Sequence, residues 1–477
     1  MTKQLVYVIF SINEIHFRRK KIMKMIYQVD EKMKLGPLLV FALQQLLAIM
    51  TATLVVPVVV NQATGADMSS AAALFGAGIG TLVYVLFTKK KSPVFLGSSF
   101  AFITSMITAF AGAVSAAAGF AGIIIGAFFA GLVYVIIGII VKCVGVNWID
   151  NLMPPAVIGS TVAIIGLSLA GNAVSDITKG NVLIDGVAVA SPLVTVLCGL
   201  ITLFVTVLSS TYGKKYGKLI PFIFGILAGY AACGIFTIIG NKFGIDALKI
   251  LNTDSFAALV ADGGVSLKTF ISIPEFTIMS AIGGFKDITP AYLGTVAVAY
   301  IPVAFVVFAE HIADHKNISS IIEKDLLRDP GLHRTLMGDG VGSFVGAIFG
   351  GCPNTTYGES VGCIAITQNA SIYTIITAAV LACIISFVSP FIAFVNSIPS
   401  CVMGGVCMAL YGFIAVSGLK MIQPVDLNQN KNLFVVSTIF IAGVGGLTLN
   451  FGQVTLTSVA CALVLGIIVN VLVSKSE

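Results

Sequence analysis

Long apolar stretches follow one another from Leu35 almost to the end of the chain, each near the ~20 residues a helix needs to cross a bilayer core. They predict spans at 37–60, 68–87, 94–110, 117–142, 149–173, 191–211 and 218–241. A second set falls at 291–315, 339–351, 355–368, 372–397, 400–420, 432–450 and 454–473. The fold class this predicts is all-α integral membrane, with fourteen spans, seven in each half. Three segments, 94–110, 339–351 and 355–368, are short or polar for a full crossing. They are counted because the chain repeats itself.

Gly76-Ala-Gly78-Ile-Gly80-Thr-Leu-Val in the second span returns as Gly338-Asp-Gly340-Val-Gly342-Ser-Phe-Val in the ninth, 262 residues on. Pro93 before the third span matches Pro353 before the tenth at an offset of 260. Pro154-Pro-Ala-Val157-Ile-Gly159 matches Pro399-Ser-Cys-Val402-Met-Gly404 at an offset of 245. Seven spans per copy is odd, so the second copy enters the membrane inverted. Inverted repeats point to a secondary transporter, with its site near the midplane and beside interrupted segments at equivalent positions. The third and tenth spans meet that description. Both open with Pro, pass through a short β-favouring stretch and reach Gly with small polar residues. Each reads as a few extended residues leading into a half-helix whose free N–H groups favour acceptor atoms. The plainer alternative is a short packed helix and a loop.

Charge fixes the sidedness. Of 27 Lys and Arg, 22 fall in segments that fourteen spans place on the side of both termini. The other five are Lys179, Lys242, Lys249, Lys268 and Lys286. Retention of basic residues in the cytosol puts both termini there, in a multi-pass protein of the cell (inner) membrane. Only 10% of residues are charged, 57% are hydrophobic and mean hydropathy is +1.02. A soluble domain carries roughly 25% charged residues, so a soluble enzyme is excluded, as is a nucleic-acid binder with its dense basic face. The nine cysteines form no CxxC pair and read as small apolar packing residues. Residues 1–34 read as a cytoplasmic arm. Its apolar start, 5–10, is too short to span, the basic run at 18–21 follows it, and Met23 or Met25 reads as the native initiator.

Ionisable groups inside the spans are few. Glu359 follows Gly358 in the tenth span, and the eighth contributes Glu310, His311, Asp314 and His315. Glu310 and Asp314 share a helix face at i,i+4, with the histidines on a face about 100° away. Two carboxylates this close in a low dielectric do not both ionise, which makes a proton carrier if the face lines a cavity. The alternative puts the cluster at the cytoplasmic end of the span, in reach of water, with structural or interfacial histidines. No metal-ligand spacing occurs. The mixed-charge stretch 324–334 reads as a solvated linker helix ending at Pro330-Gly331, and Trp148 as an interfacial anchor.

The strings Leu96-Gly-Ser-Ser-Phe100-Ala-Phe-Ile, Ala309-Glu310-His311, Lys324-Asp-Leu-Leu-Arg-Asp-Pro-Gly-Leu-His-Arg334 and Pro353-Asn-Thr-Thr-Tyr-Gly-Glu359 resemble the nucleobase–ascorbate transporter family, and within it the uracil-carrying bacterial members. The resemblance runs from about Leu35 to the C-terminus. It implies a core domain at 35–142 and 291–397, a gate domain at 143–242 and 398–477, and an external connection at 243–290. It also implies uracil import by proton symport through alternating access, with a homodimer as partner and the co-transported proton in place of any cofactor. Carried over, Glu310 and Glu359 accept the N–H groups of the base, while backbone N–H groups of Phe100 and Gly358 donate to its carbonyls. Tyr357 and the Phe100 ring add apolar contact. Glu310, Asp314 and Gln45 occupy the proton-coupling positions. The chain departs from the family pattern at three places: Gln45 for His, Asp314 for a second His, and Ser360 for Asn. The alternatives are a xanthine or other purine permease of the same family and a sulfate-permease-type anion transporter of the same fold.

Overall fold

The computed structural model describes residues 25–145, 148, 152–184, 187–214, 220–260, 264–451 and 454–473. The basic run at 18–21, Met23, Lys215, Lys218 and Lys475 lie outside them. Helices dominate. The first half holds α1 (Leu35–Thr64), α2 (Ser70–Phe87), strand β1 (Leu96–Ser98), α3 (Ile103–Ala111), α4 (Ala116–Val144), α5 (Pro155–Ser168), α6 (Ala170–Asp176), α7 (Pro192–Tyr212) and α8 (Pro221–Phe243). The second holds α9 (Pro290–Ile322), α10 (Leu332–Gly350), strand β2 (Asn354–Thr356), α11 (Gly358–Thr367), α12 (Ile372–Ile385), α13 (Ser389–Ser397), α14 (Ser400–Ile422), α15 (Asn430–Val444) and α16 (Ser458–Val473). Among the described residues, eight helices are long and apolar enough to cross a membrane, counting α5 with α6 as one.

Local chemistry sets the boundaries. Proline, whose missing N–H costs nothing in a first turn, opens α5, α7, α8 and α9. Ser69 and Ser115 cap α2 and α4 by accepting N–H groups of Ala72 and Ala118. Gly65, at φ 70°, closes α1 with its N–H on the Asn61 carbonyl.

The repeated motifs meet each other across the molecule. α2 and α10 cross through a glycine seam: a methyl on Gly342 would sit 2.6 Å from the Gly80 carbonyl oxygen, and Gly76 faces Gly346 in the same way. Such close backbone approach is what small residues permit in lipid, where packing rather than water drives helix association. α5 and α14 do likewise, with Gly159 against Gly418 and Gly166 against Tyr411. Strands β1 and β2 pair antiparallel, Leu96 with Thr356 and Gly97 with Thr355. At the sequence offsets, Gly80 and Gly342, Gly166 and Tyr411, and Leu96 and Thr356 are repeat equivalents. Each of these pairs touches, as residues lying on a two-fold axis between the halves would.

Two expectations change. The stretch 324–334 is no linker helix: Asp329 leaves helical geometry at φ −138°, Gly331 stands at φ 95°, and α10 begins at Leu332. Pro330 and Gly331 are buried, so this stretch starts a helix instead of ending one in water. Asp329 in turn pairs with Lys91 at 2.6 Å. The segment expected at 372–397 breaks into α12 and α13 around Phe387 and Val388. Within 243–290, short helices fold back on the body, where Phe276 joins Phe75, Phe349 and Phe387 in one aromatic cluster.

Candidate functional site

The β1–β2 ribbon carries the site. Its extended residues satisfy each other's backbone groups, as non-helical chain inside a bilayer must. Ser99 N–H donates to the Pro353 carbonyl at 2.9 Å and Tyr357 N–H to the Phe95 carbonyl at 3.2 Å, which extends the pairing at both ends. Directly after each strand a helix starts, at Phe100 on one side and Gly358 on the other. The first N–H groups of a helix have no carbonyl of their own to bond.

These two starts border a cavity of about 390 Å³. Phe100, Glu310, Asp314, Tyr357, Gly358 and Glu359 all line it, so the sequence-predicted residues are brought together with one exception. The facing wall is apolar, with Val162 and Ile165 of α5 and Leu410, Phe413 and Ile414 of α14. Phe100 bridges the walls, its ring 6.0 Å from that of Tyr411 in an edge contact. Tyr357 does more than offer apolar surface. Its ring lies flat against Gly97, where any side chain would overlap it, and its hydroxyl donates to the Ser98 carbonyl at 2.6 Å. Asp314 Oδ2 accepts from the Thr356 hydroxyl at 2.9 Å, which ties α9 to the ribbon.

The exception is Gln45. It is buried outside the cavity lining, and its amide donates to the Ser360 hydroxyl, which also accepts the Phe95 N–H at 3.0 Å. Two of the three departures from the family pattern are thus partners of each other. Ser360→Ala would strand the Gln45 amide and the Phe95 N–H together, an expected cost of about 1–3 kcal/mol. Thermal unfolding of the purified protein should register it as a lowered midpoint, and an unchanged midpoint would contradict the role.

α9 runs to Ile322, past the predicted end at 315, so the acids and histidines sit inside the helix and not at its wet end. Both histidines are fully buried on the side away from the cavity. His311 Nδ1 is 2.7 Å from Asp339 Oδ2 and its Nε2 is 3.0 Å from the Thr335 hydroxyl. His315 Nδ1 donates to the His311 carbonyl at 2.8 Å, and its Nε2 is 2.7 Å from the Tyr84 hydroxyl. The interfacial alternative falls; these are hydrogen-bonded interior histidines. Asp339 and Thr356 were missed as site neighbours by sequence reasoning. Asp339 had a usable signal, since it is an acid inside a glycine repeat at membrane depth. Among the described residues, no group of three or more His, Cys, Asp or Glu could hold a metal ion.

The sequence model of the family described as "Permease family", for xanthine and uracil permeases, matches residues 36–452. The chain belongs to the nucleobase–ascorbate transporter family. Uracil permease of Bacillus subtilis (strain 168) is 36% identical over 445 residues, covering 92% of each chain. Uracil permease of Escherichia coli (strain K12) is 35% identical over 444 residues, again with 92% of each chain covered. These members of the nucleobase–ascorbate transporter family are permeases, and the chain is not an enzyme. Among solved structures, the transmembrane domain of the cyanobacterial bicarbonate transporter BicA aligns at a TM-score of 0.56 and 15% identity, over 93% of this chain and all of that one. SLC26A9 aligns at 0.60 and 12% identity, over 93% of this chain and 67% of that one. At such identities they establish a shared membrane-transporter fold and nothing about substrate.

Proposed function

We propose that this protein imports uracil together with protons across the cell membrane by alternating access. The observation that carries this is the pairing, around one cavity, of two carboxylates with two helix starts. Uracil is planar and neutral, with two N–H donors and two carbonyl acceptors. Glu310 and Glu359 supply acceptors for the former, and the amides of Phe100 and Gly358 supply donors for the latter. The apolar wall of Val162, Ile165 and Leu410 suits the flat faces of the ring. The resemblance to uracil permeases along nearly the whole chain supports the same substrate.

In this reading the fourteen segments form two inverted seven-span repeats, with both termini in the cytosol and a second copy as partner. Residues 35–142 and 291–397 form the core domain that holds the base. Residues 143–242 and 398–477 form the gate it moves against. The cavity reaches Ser210, Pro221, Ser417 and Met421, beside loops that the distribution of basic residues assigns to the cytoplasm, which supports reading the state as inward-facing. Glu310 and Asp314 share the transported proton. Gln45, an amide, cannot carry one and instead holds the start of α11 through Ser360.

Labelled uracil uptake into proteoliposomes, with and without an inward proton gradient, tests the proposal. The expected result is gradient-driven accumulation that unlabelled uracil competes out and xanthine does not. Preferential competition by xanthine or guanine would overturn uracil in favour of a purine. Uptake indifferent both to the gradient and to Glu310→Gln would overturn proton coupling.

A further inference from the structure

Residues 25–32 lie outside the cavity lining and run as a strap across the turn between α11 and α12. Ile26 N–H donates to the Gln368 carbonyl at 2.7 Å, Ala370 N–H to the Tyr27 carbonyl at 2.9 Å and Ile372 N–H to the Val29 carbonyl at 2.8 Å. The pairing is a parallel bridge, Tyr27 with Asn369. The Ser371 hydroxyl adds a bond to the Glu31 carbonyl at 2.6 Å. Val29 is 3% exposed and sits in one buried cluster with Leu46 of α1, Ile318 and Ile322 of α9, Ile364 of α11 and Ile372 of α12. Asp30 also pairs with Lys324 at 3.1 Å, just past the end of α9, but both side chains are exposed and such a pair contributes little. Backbone bonds and Val29 hold the strap.

What the strap holds is α11. That helix has 10 residues, below the ~12–15 that an isolated helix needs, so its placement depends on whatever fixes its ends. The ribbon fixes the first end, where Gly358 and Glu359 border the cavity, and Gly362, Cys363 and Ile366 continue the wall along the helix. The other end stops at Gln368, which stands at φ 55° and whose carbonyl is the one that Ile26 engages. α9 and α11 carry the two glutamates. Beside the cavity they are joined by the Asp314–Thr356 bond, since β2 leads straight into α11. At the far end they are joined by the cluster around Val29.

We propose that the strap, through Val29 and Ser371, positions α11 against α9 and so sets the spacing of Glu359 from Glu310 that the base meets. This rests on the uracil site proposed above. Val29 and Ser371 are positioning residues and touch no substrate. With the strap lifted, the first turn of α11 stays on the ribbon while its far end tilts, and the binding arrangement becomes one of several. Affinity then falls in proportion to the time that arrangement is lost. None of the strap's bonds reaches α5 or α14, the facing wall, so the loaded carrier reorients as before.

Val29→Asp places a carboxylate in the apolar cluster and lifts the strap. Calorimetric titration should show uracil binding weakened about tenfold, as for a competent placement populated a tenth of the time. The maximal rate of labelled-uracil exchange at saturation should stay within about twofold of wild type. Amide hydrogen exchange across 358–367 should accelerate while α2 keeps its protection. Val29→Ala and Ser371→Ala should each weaken binding about threefold, and they carry the same readouts if Val29→Asp does not fold. Val59→Ala is the comparison: Val59 is also 3% exposed but lies outside the strap's cluster, and its loss should lower the unfolding midpoint without changing affinity. Unchanged affinity in the strap variants overturns the proposal. So does parallel loss of affinity and maximal rate, or an equal loss of affinity in Val59→Ala, because either means general loosening of the fold. Wild-type protein that binds no uracil would overturn the functional reading instead, and hydrogen exchange along α11, which needs no ligand, would then decide whether the strap positions that helix.

Discussion

Glu359→Gln is expected to weaken uracil binding by roughly 100-fold, the largest effect of any single change at the site. A carboxylate accepting an N–H makes a charge-assisted hydrogen bond, worth about 1.5–3 kcal/mol net. The amide loses that charge, and its NH2 group can turn toward the N–H of the base, where two donors oppose each other. A polar group left unpaired inside a closed site costs more than the lost bond itself, which is why sites built on hydrogen bonds discriminate strongly. Glu359 occupies the first turn of α11, where a carboxylate is favoured by the helix N-terminus and keeps its place without help from the ligand. Calorimetric titration of the purified variant with uracil, xanthine and guanine measures the loss. Undiminished uracil affinity would move the site elsewhere. A gain for xanthine would tie this position to the choice of base.

Gly342→Val should leave little folded protein. The first added carbon would lie 2.6 Å from the Gly80 carbonyl oxygen and 2.9 Å from Leu96 Cδ1. The carbonyl oxygen cannot step aside, because it is backbone at a helix crossing, and Leu96 Cδ1 ends a side chain that is itself fully buried. The helices must part, which undoes the seam. Overpacking typically costs about 1–3 kcal/mol and more where backbone must move, which is a large fraction of the stability of a folded protein. Size-exclusion profiles of fluorescent fusions report it directly. Gly36→Val is the control, since nothing lies within 4 Å of the carbon it adds. A sharp profile for Gly342→Val with the wild-type unfolding midpoint would contradict the seam's importance.

Much of this is legible in the sequence alone. Apolar length alone located the helices, because lipid leaves a chain few other ways to satisfy its backbone. The two Pro-then-Gly segments marked the ribbon, and scarcity marked Glu310 and Glu359, since an acid is too costly at membrane depth to be incidental. What stayed hidden depends on helix rotation and on contacts between distant residues. Gln45 and Ser360 lie 315 positions apart, and nothing local links them. The Asp339–His311 bond needs α9 turned so that its histidines face α10 while its acids face the cavity. Pro330-Gly331 misled because the same dipeptide can stop a helix or precede one, and only the burial of Leu326 and Leu332 on either side distinguishes the two.

The ribbon joins two halves at a point each shares with its own copy, and this bears on how a flat ligand is oriented. Around the Leu96–Thr356 pair, the offset of 260 residues that relates Pro93 to Pro353 sets Ser99 against Glu359. The same offset matches Phe100 with Ser360 and Gly358 with Ser98, so the backbone donors at the two helix starts are related by a half-turn only to within two residues, and the side-chain acceptors are not related at all. For the base proposed above, which can itself be flipped about its long axis, the scaffold by itself would accept either pose. The duplicated framework supplies a socket with two ways in, and the acids, confined to the second copy, act as the key that admits one.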